Sequence, residues 1–459
     1  MLFEILGGLA VLMVLLYLYF QWKFTYWTKK GVYQIKPTFP FGTVSAFFTK
    51  KENFLDFLMR EAKETENLPY YGGYFLVGPI LVVKDADMVR TVLVKDFEHF
   101  ANRTAESFTT GLKDLNKNAQ IWSRQMTNAS GEEWKNLRAT FSPIFTSGRM
   151  KAMMIFMQES CKQLLAGIDE YEKKKEPWEI KEMLGKYSMD TIASCAFGVN
   201  AESFTNKNSK FVEYAQSIFR QNISDAFKII LVLLPGGYHI AKTFNIEITK
   251  PIETEFFYKA VLSSLNHRRE SKVRRNDLVD LMLDAIQGEI KHEVDENADN
   301  QFEKDAKLDY HAKKTFDELV IVSTALVFLV AGYDTTGTTL AWAVHEIAKN
   351  QEIQDKLRSE IEDVTNGDSK KELTYDDLNS MTYLDQVWNE TLRFHTPAAA
   401  LTRACTKEYT VPNTDITMTK DQVLWVNIVG IHFDRKHYED PYSFNPEHFS
   451  KEAKSKRHP

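Results

Sequence analysis

Phe316 to Asn350 reads as one continuous helix, and its first half, Leu319 to Val330, is almost wholly apolar. At about 1.5 Å per residue the run spans about 50 Å, the diameter of a large domain. A helix apolar on every side has no face to offer water, so it must lie inside the fold. Covering it takes other helices, and 459 residues with 44% hydrophobic content can supply them. That apolar content also excludes disorder, collagen and coiled coil. From about Asp87 to Ile286 apolar residues recur at three- and four-residue spacing, with few strand signals. Strand-like pieces are short: Tyr74 to Val83, read as two strands around a Gly78-Pro79 turn, and Val423 to Val429. The expected fold class is mainly α with a minor β-sheet. No internal repeat is present.

A second constraint lies at the N-terminus. From Ile5 to Trp22 eighteen residues carry no charge, which spans about 27 Å, close to the thickness of a thin endoplasmic-reticulum bilayer. Tyr17, Tyr19, Phe20, Trp22, Tyr26 and Trp27 form an aromatic belt at its C-terminal end. Glu4 precedes the run without Lys or Arg, whereas Lys23, Lys29, Lys30 and Lys36 follow it. The positive-inside rule therefore turns the rest of the chain to the cytosol. A cleaved signal peptide would need a basic front and a small-residue cleavage site. Residues 1–22 are expected to be a retained single-pass signal anchor, 23–45 a stiff linker holding Pro37 and Pro40, and 46–459 one large domain. A buried soluble helix is the alternative reading of the first segment.

Charge and cysteine usage narrow the function classes. Lys+Arg is 57 against Asp+Glu 63, so there is no electrostatic case for nucleic-acid binding. Cys161, Cys195 and Cys405 make neither a disulfide scaffold nor a zinc spacing, and no metal-ligand set is expected. Four Asn-x-Ser/Thr sequons, at Asn102, Asn128, Asn222 and Asn389, are expected to stay unmodified in a cytosolic domain. Asn128 and Asn222 are the two expected to be exposed. Gly288 to Lys314 is dense in charge and reads as a solvated linker. Phe227 to Leu234 is apolar but too short to span a bilayer, so it is core or an interfacial contact.

Within the long helix sits Ala331-Gly332-Tyr333-Asp334-Thr335-Thr336-Gly337-Thr338-Thr339. Two glycines and four threonines weaken the helix locally, and threonine hydroxyls can bond back to the preceding turn. A buried Asp334 beside the Thr335 hydroxyl at a distorted turn fits a proton relay. The alternative is a buried helix whose small residues permit close packing. Glu390 and Arg393 lie one turn apart on another helix. On its own such a pair is usually a solvated surface bridge. Its order distinguishes it, because it follows the Asp-Thr-Thr helix and precedes Phe394-His395-Thr396-Pro397.

That order of motifs, behind an N-terminal anchor, resembles the haem-thiolate monooxygenases, the microsomal cytochromes P-450. Ala331-Gly332-x-Asp334-Thr335-Thr336 is similar to the family's oxygen-activating motif, and Glu390-x-x-Arg393 to its core-locking pair. Pro446-Glu447-His448-Phe449 resembles the family's Pro-Glu-Arg-Phe, with His448 replacing the Arg that completes the triad. Trp134-x-x-x-Arg138 resembles a pair that reaches a haem propionate, and Arg403 and Arg103 fall where the family places further propionate contacts. The run Phe141 to Gly148 resembles the branch that handles lipophilic xenobiotics.

The resemblance implies a cytochrome P-450 fold, haem b as cofactor, Asp334 and Thr335 as catalytic residues, and Ala331, Thr335, Trp134, Arg138, Arg103 and Arg403 at the cofactor. It also implies a lipophilic substrate, an NADPH-cytochrome reductase as electron donor, cytochrome b5 as a further partner, and the endoplasmic-reticulum membrane. The family's ligand loop, Phe-x-x-Gly-x-Arg-x-Cys-x-Gly, does not occur, and none of the three cysteines has its frame. The expectation is a C-terminus incomplete before that loop, with the axial cysteine following Pro459. Two hypotheses stand: an NADPH-dependent haem monooxygenase, and a membrane-anchored remnant that binds lipophiles or reductase without catalysis. Apolar, Ala-rich loops near 104–123, 227–238 and 397–401 suggest a lipophilic ligand.

Overall fold

The computed structural model describes residues 2–49, 51–103, 115–206, 209–220, 223–233, 237–287 and 316–457. The charged stretch Gly288 to Lys314, Asn222 and the Pro235-Gly236 turn lie outside them, as does 104–114. Where the sequence reads one domain over 46–459, contacts divide the chain into two compact, discontinuous units. One comprises Met1–Phe108, Ala398–Ser443 and Lys451–Pro459; the other comprises Thr109–Pro397 and Phe444–Ser450.

The first unit begins with an apolar helix, Leu2–Lys23, in which Phe3 to Gly8 and Ala10 to Tyr19 are exposed and Phe20 is buried. From there the chain is packed. Phe20, Phe24, Trp27 and Val32 are buried in one cluster with Tyr74, Leu81 and Leu424. The stretch 23–45 is therefore fastened to the sheet along much of its length, where a linker was expected. Gly72 is what admits Trp27: a Cβ on Gly72 would stand 2.3 Å from Trp27 Cγ, and the indole Nε1 donates to the Gly73 carbonyl at 3.0 Å. Apolar contact and a satisfied N–H together fix the ring.

The sheet of this unit has four strands, β1 (Tyr70–Phe75), β2 (Gly78–Val83), β3 (Ala400–Ala404) and β6 (Val423–Asn427), in the order β1-β2-β6-β3. β1 and β2 form an antiparallel hairpin from Tyr70↔Val83 to Phe75↔Gly78. Gly78-Pro79 opens β2, and the turn falls at Leu76 and Val77, with Leu76 at φ 54°. β6 runs parallel to β2 and antiparallel to β3. Ile80 to Val83 are all buried, as an interior strand covered on both faces requires. A small hairpin joins β4 (Tyr409–Thr410) to β5 (Thr417–Met418).

The second unit is helical and built around Glu318–Lys349, 32 residues long. Asp317 caps its start by accepting from Val320 N, and Val320 to Val327 are all buried. The helix runs unbroken through Ala331 to Thr339, so the expected distortion there is not present. Its closest neighbour is Ile180–Ile192. A Cβ on Gly337 would lie 3.0 Å from Gly185 Cα, and one on Gly332 would lie 2.7 Å from Ile192 Cδ1. Both glycines are thus accounted for by close packing of two helices. The Ser188 hydroxyl adds a polar tie, 2.7 Å from the Gly332 carbonyl and 2.9 Å from that of Tyr333. Two of the expected loops contain helices, Lys117–Ser123 and Ile223–Leu233, and in the second of these Phe227 is exposed while Val232 is buried.

Candidate functional site

On the central helix, Ala331 and Thr335 lie one turn apart and both are exposed, after a long buried run. The Thr335 hydroxyl donates to the Ala331 carbonyl, the back-bonding that a threonine hydroxyl makes in a helix. Asp334 is not the buried carboxylate expected. Its side chain is 43% exposed, and Lys181 Nζ, itself 59% exposed, lies 3.7 Å from Oδ1. At that separation and exposure the pair contributes little to stability. What it sets is position: an ammonium from the facing helix lies against the carboxylate of the residue before Thr335. No sequence spacing signals Lys181, because it comes from a different helix.

Glu390, Arg393 and His448 do converge. Arg393 donates from Nε to Glu390 Oε2 and from Nη2 to Oε1, each at 2.7 Å. Oε1 also accepts from the Asn445 backbone N–H at 2.7 Å and faces His448 Nδ1 at 3.1 Å. Glu390 and Arg393 are fully buried, and His448 nearly so. A carboxylate only accepts, so the proton of that imidazole sits on Nδ1. His448 thus fills the third place of the triad with one bond. The helix Thr382–Phe394 supplies the pair, and the turn Pro446–Phe449 supplies the histidine.

The sequence reading missed a second tie in this unit. His395 Nε2 lies 2.8 Å from Glu346 Oε1, and its ring stacks on Trp342, with centroids 4.0 Å apart and planes 6° from parallel. Burial lowers the His395 pKa, opposed by the bond to Glu346. Glu346 and Trp342 belong to the central helix and His395 closes the Thr382–Phe394 helix, 49 residues away, so no spacing rule links them. Trp134 and Arg138 share one face of the helix Gly131–Phe141, both half-buried.

In the first unit, an antiparallel bridge between Asn102 and Ala404 sets Arg103 across from Arg403. Arg403 Nη1 donates to the Thr402 carbonyl, while its buried Nε has no partner. Burial lowers the Arg403 pKa, and the Arg103 guanidinium lowers it further. Two guanidiniums side by side with a buried N–H unpaired suit an anionic group carrying carboxylates.

The three thiols are set for the protonated form. Burial pushes Cys195 up to about 12 and raises Cys161 and Cys405 as well. Cys405 Sγ donates to the Lys407 carbonyl at 2.7 Å. Among the described residues no cluster of His, Cys, Asp and Glu could hold a metal ion. The three described sequons are also engaged. Asn102 is buried, Asn128 Nδ2 donates to the Trp122 carbonyl at 3.0 Å, and Asn389 Nδ2 donates to the Asp385 carbonyl at 2.7 Å. Asn128 was expected to be exposed and is half-buried.

Comparison with known proteins matches residues 36–459 to the family model of cytochrome P450. Among curated proteins the chain is similar to cytochrome P450 6k1 of Blattella germanica, 34% identical over 98% of this chain and 83% of that protein. It is similar to cytochrome P450 6B7 of Helicoverpa armigera, 33% identical over 98% of this chain and 84% of the relative. A probable cytochrome P450 9f2 of Drosophila melanogaster is 27% identical over 100% of this chain and 87% of its own length.

Proposed function

The chain belongs to the cytochrome P450 family, and on that premise we propose that it is an NADPH-dependent haem monooxygenase that inserts one atom of dioxygen into a lipophilic small molecule. The family implies haem, and the residues at the propionate end fit it: Arg403 and Arg103 form a cationic pair with a buried N–H to give. Trp134 and Arg138 of the second unit are proposed as haem contacts in their own right. Bound haem would supply the dioxygen chemistry and the electron acceptance that side chains lack. The family's axial ligand is a thiolate, and Cys161, Cys195 and Cys405 are each biased to the thiol.

The observation that carries the proposal is the Asp334–Thr335 turn. A solvent-reaching ionisable group next to Lys181 and an exposed hydroxyl one residue on can pass a proton inward from solvent. Asp334 receives the proton, Thr335 orients it, and the back-bond to Ala331 holds the hydroxyl until a better acceptor is present. Glu390, Arg393 and His448 hold the helix that follows, while His395 ties that helix to the central one. A flavoprotein reductase, with cytochrome b5 as a second donor, would deliver electrons at the cytosolic face of the endoplasmic reticulum. The exposed apolar helix Leu2–Lys23 supports the membrane part of this reading. The test is turnover of the haem–thiolate holoprotein with reductase and NADPH, scoring oxygenated product against hydrogen peroxide; no NADPH-dependent product from any lipophile would refute it.

A second reading has one observation in its favour. With all three thiols biased to protonation, that reading is a membrane-anchored binder of lipophiles or reductase without catalysis. NADPH-dependent oxygenated product separates the two readings, since a binder without catalysis forms none.

A further inference from the structure

The end of the apolar helix is both basic and rigidly mounted. Lys23 Nζ lies 5.2 Å from the centre of the Trp22 ring and 5.6 Å from that of Tyr19. Lys29 Nζ lies 5.9 Å from the same Trp22 ring, and Lys30 Nζ lies 4.9 Å from Tyr26. Two ammoniums thus share one indole, and a third sits one residue on. None of the three makes an ion pair among the described residues, and Lys30 Nζ also donates to the Thr417 carbonyl, at 2.7 Å. Trp22 is 59% exposed, so its ring presents this charge outward.

The mount is equally defined. Trp27 lies in the notch over Gly72, Tyr74 Oη donates to the Phe24 carbonyl at 2.9 Å, and Gln34 Nε2 donates to the same carbonyl at 3.0 Å. The lysines are therefore held at one height relative to the sheet of their own unit. Ammoniums on aromatic faces at the end of a bilayer-length apolar helix fall at headgroup depth. Carboxylates would ordinarily neutralise three such cations, and none among the described residues does.

We propose that Lys23, Lys29 and Lys30, stacked on Tyr19, Trp22 and Tyr26, form a binding site for anionic lipid headgroups. The proposal rests on the membrane-anchor reading and goes beyond it, since an anchor needs only apolar length. The rings fix the stems of the lysines, and the lipid supplies the negative charge that the protein withholds. Each lysine near such a surface strengthens association about fivefold.

The test uses the full chain in phosphatidylcholine bilayers containing a trace of spin-labelled phosphatidylserine or spin-labelled phosphatidylcholine. Electron spin resonance then reads the fraction of each label immobilised by the protein. The expected result is at least a threefold preference for phosphatidylserine, reduced by 0.5 M salt. The combined variant Lys23→Gln, Lys29→Gln, Lys30→Gln should float with the vesicles in the same amount and show no preference. Equal immobilisation of the two labels by the wild-type chain overturns the site, as does a preference that survives in the triple variant. Failure of the wild-type chain to float with vesicles at all overturns the anchor reading, and the site with it.

Discussion

Arg393 closes on both oxygens of Glu390 through Nε and Nη2, each at 2.7 Å, and neither side chain reaches solvent. Taken singly, the two bonds are an ordinary one-turn helix pair. Burial changes what they mean, because removal of either partner leaves a charge stranded in a medium that cannot solvate it. Glu390→Gln should lower stability by about 3–5 kcal/mol in urea unfolding of the 459-residue chain. His448→Leu should cost less, about 1.5–3 kcal/mol, because Oε1 keeps its bonds from Arg393 and Asn445. An equal loss in the two variants would show that the histidine bears as much of the triad as the arginine.

Much of this was legible in the sequence, for identifiable reasons. The central helix was, because twelve nearly continuous apolar residues admit only burial; it runs Glu318–Lys349 against a reading of Phe316 to Asn350. The Glu390–Arg393 spacing was visible, but its burial was not, since a helix pair looks the same on a surface. Lys181 and His395 left no trace, because each meets its partner from a helix remote in sequence. Trp27 was read as part of an aromatic belt. Its burial depends on the missing side chain of Gly72, some 45 residues on, which no local pattern can announce.

The buried acid of the first unit gives a pH dependence of defined sign. Glu61 is 1% exposed, accepts from Tyr71 Oη at 2.9 Å, and leaves Oε1 without a partner. Burial pushes its pKa up to about 8 from 4.5, against the pull of Tyr71 and Arg60. The folded state therefore binds a proton that the unfolded chain has released between those values. The stabilisation is full below about pH 4.5, falls as pH rises, and is gone above about 8. Glu61→Gln should remove this slope and raise stability at pH 8 by a few kcal/mol. Denaturant midpoints measured at pH 5, 6.5 and 8 decide it; parallel curves for wild type and variant would contradict the assignment.

Haem retention tests the cationic cradle apart from catalysis. Arg403→Leu removes the buried N–H and the charge, whereas Arg403→Lys keeps the charge and loses the planar fork. Retention should fall in the order wild type, Lys variant, Leu variant, read as haem per protein after gel filtration. Arg138→Leu should likewise lose more haem than Arg138→Lys. Equal haem content in both Arg138 variants would make that residue an ordinary surface charge.

Topology cannot be read from glycans at the described sequons. Asn102 is buried, and the Asn128 and Asn389 side chains are already bonded to backbone carbonyls. These three sites should stay unmodified whichever side of the membrane they face, so protease access is the sharper measurement. In sealed microsomes, protease added outside should digest the chain beyond the anchor. Protection until detergent is added would place the domain in the lumen.

The thiols make a spectroscopic prediction. None of Cys161, Cys195 and Cys405 lies in the frame Phe-x-x-Gly-x-Arg-x-Cys-x-Gly, so the reduced, CO-treated 459-residue chain should show no long-wavelength Soret band at neutral pH. A band abolished by substitution of one of these cysteines would identify that residue as the axial ligand.

The most direct test of the proposed function is the fate of electrons in the Thr335→Ala variant of the haem–thiolate holoprotein. With reductase and NADPH, the variant should consume NADPH at a rate close to wild type while product falls about tenfold or more and hydrogen peroxide rises to match, since general acid assistance is commonly worth 10²–10⁴ in rate. Product per NADPH unchanged from wild type would contradict the assignment of Asp334 and Thr335, and with it the reading of the central helix as the site of oxygen insertion.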